Sequence, residues 1–265
     1  MRKYLEVFRL SFKMQIVWRF DVAMTMVATV ARIVAAWVLW QAIFAGKELV
    51  GGFTVGAMLS YYVVCSIVSS IDFSHKISGE VCWLIRDGRF SGHMVAPMNP
   101  LGFFGSMQAG ESAFHLGFSL IAAAICAVAF GMRVALSADI LQILLAAAMI
   151  PLGLAFMAGY HFWIGTLTFK FLDIDFFLHV QGNVIAFATG ALIPLALLPQ
   201  GLLQVLRLLP FTHVVYTPAM LLTGQMATGE GLFGLGVLAM WTAAMLAIAQ
   251  RTYGRLRVKY DGVGI

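Results

Sequence analysis

The chain alternates long apolar runs with short polar breaks. Six runs approach or exceed the ~20 apolar residues that a bilayer core of about 30 Å needs. They fall at 22–44, 53–74, 102–130, 139–168, 176–198 and 231–250. Pro151 lies inside the fourth and predicts a kink. Ahead of the first run, residues 2–19 place Leu5, Phe8, Phe12 and Ile16 on one helical stripe. Arg2, Lys3, Arg9, Lys13 and Arg19 lie mostly on the other side. That pattern predicts an amphipathic helix along a membrane surface.

Residues 194–224 fit neither a loop nor a span. They are apolar but cut by Pro194, Pro199, Pro210 and Pro218. Each piece is too short to cross, which predicts two short helices that enter the outer leaflet and turn back within 195–224. The plainer alternative is a hydrophobic outer cap with no gating role.

The longest polar break is residues 75–100, HKISGEVCWLIRDGRFSGHMVAPMNP. It carries Lys76, Glu80, Arg86, Asp87 and Arg89 between two runs with almost no charge. A short amphipathic helix is expected over 79–85, with Val81, Leu84 and Ile85 on one face and Glu80 and Asp87 off it. Gly88 then serves a turn, and Pro97 and Pro100 lead out.

Composition agrees with the hydropathy pattern. Of 265 residues, 61% are hydrophobic and 11% charged, against about a quarter charged in soluble domains. The class is an all-α integral membrane protein. The net charge of +5 lies in loops and helix ends, with no basic-aromatic groove, so no nucleic-acid partner is expected. With the N-terminus inside, the inner segments hold Arg2, Lys3, Arg9, Lys13, Arg19, Lys76, Arg86, Arg89, Lys170, Arg251, Arg255, Arg257 and Lys259. The outer ones hold Lys47, Arg133 and Arg207. Both termini are therefore expected in the cytoplasm. The first twenty residues mix charge among apolar positions and are not expected to be a cleavable signal.

Recognisable catalytic chemistry is absent from the sequence. Cys65, Cys82 and Cys126 are far apart, and the six histidines form no HExxH or compact ligand set, so no metal or disulfide framework is expected. There is no G-x-S-x-G elbow and no G-x-x-x-x-G-K-[ST] loop, so the chain has no phosphate cradle of that kind. No catalytic residue and no cofactor of its own are expected. Any energy from ATP must enter through another polypeptide.

Two charges lie well inside the apolar runs, away from their ends. Arg32 lies about ten residues into the first span and Glu111 about ten into the third, which puts both roughly 15 Å from the inner face. A lone charge near the bilayer centre costs on the order of 3 kcal/mol. The two are expected to pair, with His115, one turn beyond Glu111, sharing the carboxylate; the alternative is that each faces water in a cavity.

The order of elements, the loop GEVCWLIRDGRFSGHMVAPMNPL and the segment LPFTHVVYTPAMLLTG resemble the permease subunit of an ABC-2-type ATP-binding-cassette exporter. The resemblance covers essentially the whole chain. It implies one transmembrane domain over 1–265, with an interface helix at 1–20, a coupling segment at 75–100 and broken outer-face helices at 195–224. It implies two copies of a cytoplasmic ABC ATPase that bind ATP and magnesium. A second permease, identical or homologous, would enclose a pathway lined by the first, second and fifth spans. Glu80, Leu84, Arg86, Asp87, Gly88 and Arg89 would lie at or near the ATPase face. The implied activity is export of a drug, lipid or glycolipid across the cell (inner) membrane, among membrane lipids. A secondary transporter or channel not driven by ATP is the alternative; a membrane enzyme or assembly factor is a third reading.

Overall fold

All the long apolar runs form helices. The computed structural model describes residues 2–132, 134–171 and 174–259. Arg133, the middle of the expected 170–175 turn and the last part of the basic tail, 260–265, lie outside the described residues. The order is α1 (Arg2–Val17), α2 (Arg19–Ile43), α3 (Val55–Ser70), α4 (Ser74–Arg86), α5 (Ser91–Val95), α6 (Pro100–Ala129), α7 (Ile140–Thr166), α8 (Asp175–Ala188), α9 (Gln200–Leu206), α10 (Tyr216–Leu222) and α11 (Thr228–Leu256). Among the described residues the one β feature is an isolated bridge, Val50 to Phe53.

Five helical runs are long and apolar enough to cross a bilayer. They are α2, the α3–α4 run Val55–Arg86, α6, α7 with its 3-10 extension, and α11. A sixth is possible if α9 and the helix Phe211–Leu222, bent by 84°, count as one span. The expected fifth span, 176–198, does not form as such. α8 has 14 residues, about 21 Å at 1.5 Å per residue. It stops because the backbone turns at Gly190, whose carbonyl accepts a hydrogen bond from the Tyr61 hydroxyl at 2.9 Å. Pro194 follows and opens a separate 3-10 turn.

α4 begins five residues earlier than the sequence suggested. Asp72 Oδ1 accepts from the Ser74 amide at 3.0 Å and the Ser74 hydroxyl at 2.5 Å, fixing the first turn just after α3 ends. Ile77, Val81, Leu84 and Ile85 are buried. α4 lies close against α7 because Gly165 has no side chain: a Cβ there would sit 2.8 Å from Val81 Cβ. α7 is the central helix, with α4, α10 and α11 packed around it, and it runs on through Pro151.

α1 packs lengthwise on the first half of α6, pointing the same way. The Asn99 amide donates to Tyr4 Oη at 3.1 Å, Ser11 Oγ to the Met107 carbonyl at 2.7 Å, and His115 Nε2 is hydrogen-bonded to Gln15 Oε1 at 3.3 Å. The packed face is therefore Tyr4, Phe8, Ser11 and Gln15, rotated from the expected stripe; Leu5, Phe12 and Ile16 are 47, 37 and 61% exposed. Hydrogen bonds to α6 outweigh a purely apolar contact here. Gly110 permits the approach, since a Cβ there would be 2.4 Å from the Phe8 carbonyl oxygen. Asn99 Nδ2 also donates to Gln250 Oε1 at 2.8 Å. The first turns of α1 and α6 and the last turns of α11 thus meet at one end of the bundle.

Candidate functional site

At that same end, α4 presents two chemically different faces. Its buried side holds Val81, Leu84 and Ile85 against the core. Leu84, expected at the ATPase face, is instead core, because helical spacing carries it with Val81 and Ile85. Arg86, Asp87 and Arg89 are exposed, and Glu80 is half-buried. Gly88 adopts φ +76°, as the Arg-Asp-Gly turn requires. The Phe90 amide then donates to the Leu84 carbonyl at 2.9 Å. Phe90 is 0% exposed and lies edge-on to Phe169 and Tyr253. A buried aromatic plug thus holds a charged turn in place.

Trp83 is the residue that charge counting missed. It is 52% exposed and sits three residues from both Glu80 and Arg86, on the polar side of α4. The Arg89 guanidinium stacks 5.1 Å from its ring centre, and Arg89 Nε is 3.8 Å from Asp87 Oδ2. The signal was present as an aromatic at i+3 in a charged helix face. Behind the turn, His93 packs among Phe90, Phe103 and Phe104, and that burial lowers its pKa from the ordinary 6.5.

The intramembrane charges do not pair as expected. Glu111 is ion-paired with Lys76 of α4, and Lys76 Nζ also lies 4.5 Å from the Phe73 ring centre. His115 bonds Gln15 rather than the Glu111 carboxylate, and its ring centre lies 4.5 Å from that of Phe73, tilted by 47°. Arg32 Nη2 donates to Thr29 Oγ1 at 3.4 Å. Counting residues from a helix start failed because α6 is about 45 Å long, well beyond a ~30 Å core. Its first residue does not mark the membrane face. α2 also turns Arg32 toward α3 and α8, away from α6.

Arg32 instead lines a cavity of about 530 Å³ walled by α2, α3, α7 and α8. Ser69, Asp72, His75 and His161 line it too, as do Leu39, Tyr62, Ile185 and Leu192. Ser78 Oγ is hydrogen-bonded to His161 Nδ1 at 3.2 Å. Ser69 Oγ is buried without a hydrogen-bond partner. A larger apolar cavity, about 1180 Å³, lies between α6, α7 and α11, where small residues such as Gly105, Ala109, Ala147 and Ala155 alternate with larger ones.

Neither the curated proteins nor the solved structures contained a match to the chain. A profile of the family described as "ABC-2 family transporter protein" matches residues 30–264. The match takes in the second half of α2, every later candidate span, the α4 turn and the Arg32 cavity. The chain accordingly belongs to the ABC-2 transporter family, as a multi-pass membrane permease subunit of an ABC transporter, a family that implies an ABC ATPase partner.

Proposed function

We propose that the chain forms the pathway for ATP-driven export of a hydrophobic or amphipathic substrate across the cell (inner) membrane. A cytoplasmic ABC ATPase pair supplies the energy, and a second permease completes the pathway. One observation carries the coupling half of this reading: α4 is rigidly seated on α7, yet leaves Trp83, Arg86, Asp87 and Arg89 exposed at the end where α1 starts and α11 finishes. Charged rims steer and orient an association, while a central exposed Trp is the side chain most often found to anchor one.

Helix lengths support placing that end outside the bilayer. The α3–α4 run has 32 residues and α6 has 30, about 45 Å or more each, so both outreach a ~30 Å core. The excess lies at the α4 end, with both termini cytoplasmic by the charge bias. α1 serves as an interface helix whose exposed Leu5, Phe12 and Ile16 meet lipid and whose cations meet headgroups. At the opposite end, α9 and Phe211–Leu222, bent by 84°, act as the re-entrant pair. The cavity beside Arg32, walled in part by α2, α3 and α8, is the permease's share of the pathway.

The direct test is capture. A cysteine placed at Asp87, with a matching cysteine on a co-expressed ABC ATPase partner, should form a cross-link in membranes that ATP modulates. Absence of the ATPase from the purified complex, together with no cross-link, would refute the coupling assignment.

A further inference from the structure

The 530 Å³ cavity has a direction. Along α2 its lining runs from Arg32 through Ala35 and Ala36 to Leu39. Along α3, which runs the opposite way, it passes from Asp72 and Ser69 through Ser66 and Cys65 to Tyr62. α7 contributes His161 toward the terminal end and Met157 one turn further in. α8 adds Ile185 near the far end, where Leu192 closes the wall. The α2, α3 and α7 walls are polar toward the end that holds the termini and largely apolar toward the other; the α8 wall, Gly182, Ile185 and Ala186, is apolar up to Thr189. A slot graded in this way suits a molecule that is itself graded, with one charged end and one greasy end.

The polar end identifies the sign of the charge. Arg32 carries five N–H donors in a fixed fork, and among the described residues it makes one hydrogen bond, to Thr29 Oγ1 at 3.4 Å. The carboxylate expected to neutralise it, Glu111, is held by Lys76. Asp72 shares the lining, but its Oδ1 is occupied by the Ser74 amide, the Ser74 hydroxyl and Gln108 Nε2. Ser69 Oγ, buried and unpartnered, lines the same end. An ionised guanidinium inside a membrane span faces a cavity or a partner; here it faces a cavity whose one carboxylate, Asp72, is engaged through Oδ1 with Ser74 and Gln108. We propose that this cavity binds an anionic amphiphile. Its anionic group meets Arg32 and Ser69 Oγ, and its chain lies along Leu39, Tyr62 and Ile185. The inference rests on the permease reading and narrows its substrate class.

The test is binding to the purified complex in an uncharged maltoside detergent, without ATP. Thermal unfolding is followed while dodecyl phosphate, dodecyltrimethylammonium or inorganic phosphate is added. Dodecyl phosphate should raise Tm saturably. The cationic amphiphile and inorganic phosphate should not, because one has the wrong charge and the other no chain. Arg32→Gln should weaken the dodecyl phosphate response at least tenfold, and Arg32→Lys should retain part of it. Ala35→Trp fills the slot while leaving Arg32 in place, so it should abolish the response if Arg32→Gln fails to fold. Equal responses to the two amphiphiles, a full response to inorganic phosphate, or an unchanged response in Arg32→Gln or Ala35→Trp would each overturn the proposal. Because no ATPase step enters, loss of this response leaves the coupling assignment standing. A failed cross-link at Asp87 likewise leaves the binding result intact.

Discussion

Lys76, in the first turn of α4, is ion-paired with Glu111, in the first half of α6. The contact ties the helix that carries the exposed charged turn to the helix on which α1 lies. Glu111 is nearly buried at 11% side-chain exposure, whereas Lys76 is 52% exposed. Removing Lys76 therefore strands a carboxylate that solvent reaches poorly. The full penalty for breaking a buried pair, about 3–5 kcal/mol, is reduced by the exposure of Lys76 to about 1–2 kcal/mol.

Lys76→Glu should thus lower Tm in detergent and weaken transport coupling. Adding Glu111→Lys should restore part of both. A double variant no better than the worse single one would show that the two residues are not coupled.

The exposed face of α4 gives a sharper expectation. Trp83→Ala should weaken association with the ATPase by tenfold or more, as expected of an interfacial Trp, and leave Tm within a degree or two, since its ring packs on Arg89 and not in the core. Glu80→Lys with Asp87→Lys should leave the permease in the membrane yet uncouple ATP hydrolysis from transport. Wild-type affinity in the first variant and wild-type transport in the second would remove this face from the coupling surface.

Close packing of α4 on α7 can be tested at Gly165. A methyl group there meets Val81 Cβ at 2.8 Å, and overpacking of this kind costs about 1–3 kcal/mol. Gly165→Ala should lower Tm and loosen the coupling turn, seen as faster amide exchange over 83–90. Val81→Ala in the same chain removes Cγ1, which the new methyl also meets at 2.9 Å, though not Cβ; it should recover part of the loss, and no recovery would leave Cγ1 out of the clash.

Topology follows from labelling in sealed cells. The three native cysteines are buried and give a quiet background. Gly229→Cys, at the exposed start of α11, should react with an impermeant maleimide from outside, and Gly79→Cys only after lysis. Outside labelling of Gly79→Cys would reverse the orientation and remove α4 from the cytoplasm.

Hydropathy placed the spans whose ends depend on local composition. α2, at 19–43 against an expected 22–44, and α6, at 100–129 against 102–130, are examples. α8 was misjudged because its end is set from a distance: Tyr61, on α3, holds Gly190 across 129 positions of sequence. The pairing of Glu111 was missed for a related reason. Residue counting addresses depth along a helix, but the side to which a helix turns is decided by its neighbours, and α4 reached Glu111 before α2 could. Within the candidate site, helical spacing correctly grouped Val81, Leu84 and Ile85, yet the family analogy placed Leu84 on the outside. Trp83 was passed over because polarity was judged by charge alone.

The packing of α1 on α6 also sets an order of assembly. Its hydrogen bonds join Lys3 to Pro97, Ser11 to Met107 and Gln15 to His115, separations of 94, 96 and 100 residues. The surface that receives α1 does not exist until the ribosome has made those later residues, after α2 and α3. Chains grow from the N-terminus, and domains generally settle in that direction. Here the earliest segment is seated late: α1 has no site to pack on until α6 arrives beside it.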